Sequence, residues 1–233
     1  MSLTVSSIQL RRPPRPLTGA RLLATLGVMC ALCAIAPSIA SAATQEDKTQ
    51  FSVVAGSLSF STVPAMPTLS SITLNGQAQT TTTTMTNFGV ADATGSGSGW
   101  NVTVAGQSGA EKSAVFAQYC PNATCGADVK GYVPSGATLA ANSLTLNSTA
   151  ASFAAQSGST GTAATLQCAA ACNVDSASAV KIASAALNAG MGTWLTTAFS
   201  ATSLSLSTPT TLKALSNAEV FRVNLLWTLA TGP

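Results

Sequence analysis

The side chains able to do chemistry are few, and the missing ones decide more than those present. The chain has six cysteines and no histidine in 233 residues. Without an imidazole it lacks the Ser-His-Asp and Cys-His relays and the commonest metal ligand. Its seven acids, Glu46, Asp47, Asp92, Glu111, Asp128, Asp175 and Glu219, are scattered. A two-carboxylate glycosidase needs two acids held at a set separation, and no pair here stands apart from ordinary surface charge. A Ser/Lys dyad is conceivable only for a serine near Lys181. Asp92, in a Thr/Gly/Ser turn, is read as a turn-stabilising residue rather than a calcium ligand. The chain is therefore expected to have no catalytic residues, no metal and no cofactor.

The cysteines form close pairs. Cys120-Pro-Asn-Ala-Thr-Cys125 and Cys168-Ala-Ala-Ala-Cys172 lie in the body of the chain. Sequence alone allows three connectivities among four cysteines. Proximity favours Cys120 with Cys125 and Cys168 with Cys172. A Cys₄ zinc site has near-permitted spacings, but an exported chain meets oxidants, and disulfides are the expectation.

Export is read from the first 42 residues. Arg11, Arg12, Arg15 and Arg21 precede an uncharged, mostly apolar stretch from Leu22 to Ala36, and Ala40-Ser41-Ala42 is a small-x-small cleavage site. This is the three-part pattern of a secretory signal. Its apolar core is short of the about 20 residues of a membrane span, so no stable span is expected after cleavage. Cys30 and Cys33 leave with it. Six cations then face seven acids, a net charge of −1, which argues against nucleic acid as a partner. Only 7% of residues are charged while 46% are hydrophobic. Disorder needs the opposite balance, so the polar surface must come from Ser, Thr, Asn and Gln.

Such a composition suits strands and turns. After a polar leader at 43–50, Leu58 and Phe60 alternate with polar neighbours, and Pro64 and Pro67 end the run. Asn75-Gly76 is a turn signal. Thr80 to Thr84 are β-branched throughout and favour a strand. Trp100, Val102 and Val104 alternate with Asn101 and Thr103, which predicts a half-buried strand. Leu139, Leu144 and Leu146 suggest another strand or two, and residues 150–165 a loop or edge. The Ala-rich stretch Ser176–Ala189 is expected to form a short helix. Trp194 to Leu206 and Val220 to Leu229 return to strand spacing. Short strands with turns between them predict a sandwich or barrel in one domain.

The C-terminus reads Phe221-Arg-Val-Asn-Leu225-Leu-Trp227-Thr-Leu229-Ala-Thr-Gly-Pro233. Phe221, Leu225, Trp227, Leu229 and Pro233 have the spacing of the distal motif of the WxL family, with Phe where that family usually has Tyr. Asp92 leading to Gly99-Trp100-Asn-Val102 resembles its proximal motif, here Trp-x-Val. Gly190-Met-Gly192-Thr-Trp194 and Leu204-Ser-Leu-Ser-Thr-Pro209 resemble two further elements. The resemblance implies an immunoglobulin-like antiparallel β-sandwich over residues 51–233, with residues 105–175 as a cysteine-bearing insertion. It implies a secreted, non-catalytic surface module, associated non-covalently with peptidoglycan or another cell-wall polymer and with other surface proteins. Trp100 and Trp227 are expected to be chiefly core residues. Trp194, beside Gly190 and Gly192, is the better candidate for an exposed binding aromatic. The competing reading is a fibre- or pilin-like subunit that assembles through an edge strand.

Overall fold

Alternation of apolar and hydroxyl-bearing residues becomes a set of short antiparallel strands. The computed structural model describes residues 46–215 and 218–233. The export signal and the first three residues of the leader lie outside the described residues. One compact unit runs from Phe51 to Pro233.

In chain order the strands are β1 (Leu58–Thr62), β2 (Gln79–Thr83), β3 (Gly89–Asp92), β4 (Trp100–Gly106), β5 (Ala117–Cys125) and β6 (Asp128–Tyr132). There follow β7 (Leu144–Leu146), β8 (Ser152–Ala155), β9 (Thr165–Leu166), β10 (Cys172–Asn173) and β11 (Val180–Ala185). The last are β12 (Gly192–Thr197), β13 (Leu204–Thr208), β14 (Val220–Arg222) and β15 (Leu225–Thr231). They form four sheets, ordered β1-β3-β12-β8, β10-β7-β13-β2, β15-β4-β11-β9 and β14-β5-β6. Every pairing is antiparallel. The fold is all-β and open-sheeted, with no helix among the described residues.

β4 shows why the alternation matters. Trp100, Val102 and Val104 are fully buried while Asn101, Thr103 and Ala105 keep partial exposure. Phe88, Phe153 and Trp100 meet edge to face, at 5.9 and 5.7 Å between ring centres, and Trp227 lies 5.8 Å from Phe88. These rings tie the β1-β3-β12-β8 and β15-β4-β11-β9 sheets into one core. The buried Thr196 hydroxyl donates to the Phe88 carbonyl and accepts its N–H, so no polar group is orphaned there.

Two segments differ from expectation. Ser176–Ala189 holds no helix: Val180–Ala185 is strand β11, hydrogen-bonded between β4 and β9. Val180 and Ile182 are β-branched, and Ala183 and Ala185 are small enough to pack at zero exposure against β4. Tertiary placement overrides alanine's helix propensity. The C-terminal run Val220–Leu229 is not one strand. β14 pairs with β5, and β15 pairs with β4 in another sheet. The break falls at Asn224, whose backbone N–H donates to Ser113 and whose side-chain oxygen accepts from Tyr132.

Cys120 bonds Cys125 and Cys168 bonds Cys172. The first closes an irregular stretch of β5 where pairing with β6 lapses between Cys120 and Thr124. Pro121 sits there, exposed, where a missing N–H does no harm. Each short loop contributes about 2 kcal/mol in the loop-entropy model. Reduction is therefore expected to leave the β-sheet circular dichroism intact at room temperature and lower the melting midpoint by roughly 10 °C. Loss of the sheet signal on reduction would show that the bridges are required for folding.

Candidate functional site

The terminal motif builds one wall of a wide groove. Along β15, half-buried Leu225, Trp227 and Leu229 alternate with exposed Leu226, Thr228 and Ala230. Register with β4 sets Trp227 opposite Val104 and Leu229 opposite Val102. Leu225, Trp227 and Phe221 of β14 line a groove of about 1200 Å³. Its floor is Leu144, Leu204 and Leu206, the inward-facing residues of β7 and β13. Its far wall is the strandless segment 64–74, where Met66 and Leu69 pack against the core. Trp227 is thus shared between core and groove. Leu229 lies on the core side, and Pro233 is exposed just beyond Gly232, whose carbonyl accepts from Asn101.

Trp100 and Val102 belong to the core, both at zero exposure. The Trp100 indole N–H donates to the Gly190 carbonyl at 3.0 Å. Trp194 is not an exposed loop aromatic. It lies within β12, only 4% exposed, with its indole N–H on the Met191 carbonyl at 2.9 Å. Its neighbouring glycines serve the backbone instead. Gly190 has φ +70°, and a Cβ there would sit 2.6 Å from the Trp100 nitrogen. Gly190, one of the glycines that suggested a binding loop, is the clearance for another tryptophan, and Gly192 clears Ser159.

The acids do not converge. Asp92 is buried, and its Oδ1 accepts from the Thr94 N–H and hydroxyl at 3.0 and 2.6 Å, as a turn cap does. Asp175 is fully buried. Its Oδ2 accepts the Ser143 N–H at 3.0 Å, and Oδ1 has no partner. Burial pushes this carboxyl up, and the backbone N–H groups around it partly counter that. Among the described residues no three His, Cys, Asp or Glu side chains come together as a metal site. Ser178 and Lys181 do have the S-x-x-K spacing. However, Lys181 is on strand β11 and Ser178 is in the turn before it, both exposed. The paired Ser/Lys geometry that such a motif serves is not built from these elements.

One cluster escaped the sequence reading. Tyr119 on β5 and Tyr132 on β6 are directly paired, their rings 5.1 Å apart and 70° to each other. The Arg222 guanidinium carbon lies 4.5 Å over the Tyr119 ring. The Tyr132 hydroxyl donates to Asn224 Oδ1 at 2.5 Å. Its desolvation raises the phenol above the usual tyrosine range, with Arg222 pulling it back in part. Thirteen residues separate the tyrosines, and Arg222 follows ninety residues later, so no local spacing announces the group. The only cue was that Tyr119 and Tyr132 flank a cysteine pair.

Compared with known protein families, residues 41–233 match the model described as "WxL domain surface cell wall-binding". No curated protein and no solved structure matches the chain.

Proposed function

This chain belongs to the WxL family of surface cell wall-binding domains, and from that premise we propose that it binds peptidoglycan non-covalently and catalyses nothing itself. The observation carrying this reading is the groove. The terminal motif residues Phe221, Leu225 and Trp227 are held half-exposed along its wall rather than sealed in the core. An apolar concavity with a few polar groups at its rim is the usual form of a ligand site. The scattered acids and missing histidine favour binding over turnover. On this reading residues 1–42 are the export signal, 43–50 a short leader and 51–233 the binding domain.

Exported protein is expected to co-sediment with purified sacculi, and to do so across a salt series, because six cations cannot supply a large ionic share. Release by moderate salt would point to ionic attachment. No sedimentation at any salt would move the ligand from the wall to a protein partner.

A second reading keeps one specific support. Phe51, Val53 and Val54 are 90, 81 and 89% exposed on an extended segment before β1. Apolar residues presented this way favour assembly through that segment. Concentration-dependent growth in sedimentation without sacculi would mark it.

A further inference from the structure

We propose that the outer face of the sheet β14-β5-β6 is a contact site for an acidic saccharide, with Tyr119 and Tyr132 as stacking platforms and Arg222 as the anion ligand. This rests on the wall-binding reading and says where part of the ligand is held. Tyr119 and Tyr132 are the chain's only tyrosines, and strand pairing sets them opposite each other. Val220 pairs with Tyr119, and Arg222 lies two residues along β14. Alternation therefore puts all four on one side of the sheet, while Phe221 between them packs against the core; Val220 and Arg222 also border the groove, so the two surfaces adjoin.

Both rings are half-buried and keep part of their surface in solvent. Aromatic faces carry negative charge, which matches the C–H faces of a pyranose ring. Arg222 is exposed and stacked, and among the described residues no carboxylate is in ion-pairing distance of it. A stacked guanidinium keeps its in-plane N–H donors free, and that planar fork fits a carboxylate or phosphate. In a chain with so few charges, an unpaired arginine on an aromatic pair is a distinctive arrangement. Lys130 lies two residues from Tyr132 on the same side of β6, with Asp128 two further. The face is therefore only weakly positive, with Arg222 engaging a single acidic group of the ligand.

The platform is also braced. The Cys120–Cys125 bridge begins beside Tyr119, and Tyr132 is fixed by its bonds to Asn224 and to the Arg222 carbonyl. Side chains held before binding lose little freedom on binding.

The test compares exported wild-type protein with Tyr119→Leu, Arg222→Gln and Arg222→Lys in sacculus binding isotherms. Sacculi are used intact and after acid removal of their phosphate-bearing polymers. Tyr119→Leu keeps apolar bulk, and matching melting curves establish that each variant is folded. Tyr119→Leu and Arg222→Gln are each expected to weaken binding about tenfold, with Arg222→Lys between them and wild type. Loss of the Arg222 effect on stripped sacculi assigns the anion to a phosphate, and its persistence assigns it to a carboxylate of the glycan; both support the site. Folded variants that bind as wild type does would overturn the inference and leave the wall reading standing. Wild-type protein that binds neither preparation would overturn both.

Discussion

Trp100→Ala is expected to unfold the domain or abolish its secretion. The side chain is at zero exposure in β4, the strand between β15 and β11. Its ring packs edge-on to Phe153, and its N–H is the partner of the Gly190 carbonyl. Removing a buried ring of this kind costs about 3–5 kcal/mol, and the orphaned carbonyl adds about 1 kcal/mol. A domain with a total stability of about 5–15 kcal/mol loses much or all of its margin. Yield after export and a thermal melt are the measurements, with Trp227→Ala as the comparison. Trp227 is half-buried, so its loss should cost distinctly less. Equal effects would mean that the groove-side ring is as deep in the core as Trp100.

The second large effect comes from adding a single methyl group. Gly99 precedes Trp100 with φ +72°, a conformation that L side chains rarely adopt. A Cβ at Gly99 would run into the backbone carbonyl of Ala185 and stand 2.8 Å from that of Ala186. Ala185 is paired with Trp100 in the sheet, and the Ala186 carbonyl accepts the Ala189 N–H, so both are held in place. Left-handed strain costs about 1–2 kcal/mol and overpacking about 1–3 kcal/mol. Gly99→Ala should therefore lose about 2–5 kcal/mol, read as a lowered urea midpoint with an unchanged slope. At exposed Gly95, also at positive φ but with nothing near its absent Cβ, the same change should cost only the strain. Equal midpoints for the two variants would remove the steric argument.

How far the sequence foretold this depended on how local the deciding physics was. β4 was legible because alternation of Trp100, Val102 and Val104 is a period-two signal that burial on one face imposes. The Thr run of β2 was legible for the same kind of reason: β-branching is an intrinsic preference. The disulfide pairs follow from loops too short to bring in a distant partner. β11 was not legible, because Ala183 and Ala185 were selected for closeness to β4, a fact about another part of the chain. The role of Trp194 was hidden for the same reason: Gly190 answers to Trp100, ninety residues away. The terminal motif was recognised as a unit, yet its division between two sheets at Asn224 depends on Ser113 and Tyr132. The groove's far wall, 64–74, was visible only as a prolines-and-polar break between strands. The tyrosine–arginine face was invisible in sequence because its members meet only through two pairings of β5.

The pairing of β15 with β4 joins Thr231 to Trp100 and Leu225 to Gly106. On one side β4 pairs with β11, but its other partner β15 follows it by more than a hundred residues. Until β15 pairs, the edge carrying Trp100, Val102 and Val104 has no cover, and contacts that span so much chain form slowly. Closure of this sheet therefore waits on a pairing that spans most of the domain. Without β15 that edge of β4 would present unpaired N–H and C=O groups, a template for pairing with another chain, so closing this sheet also guards against self-association.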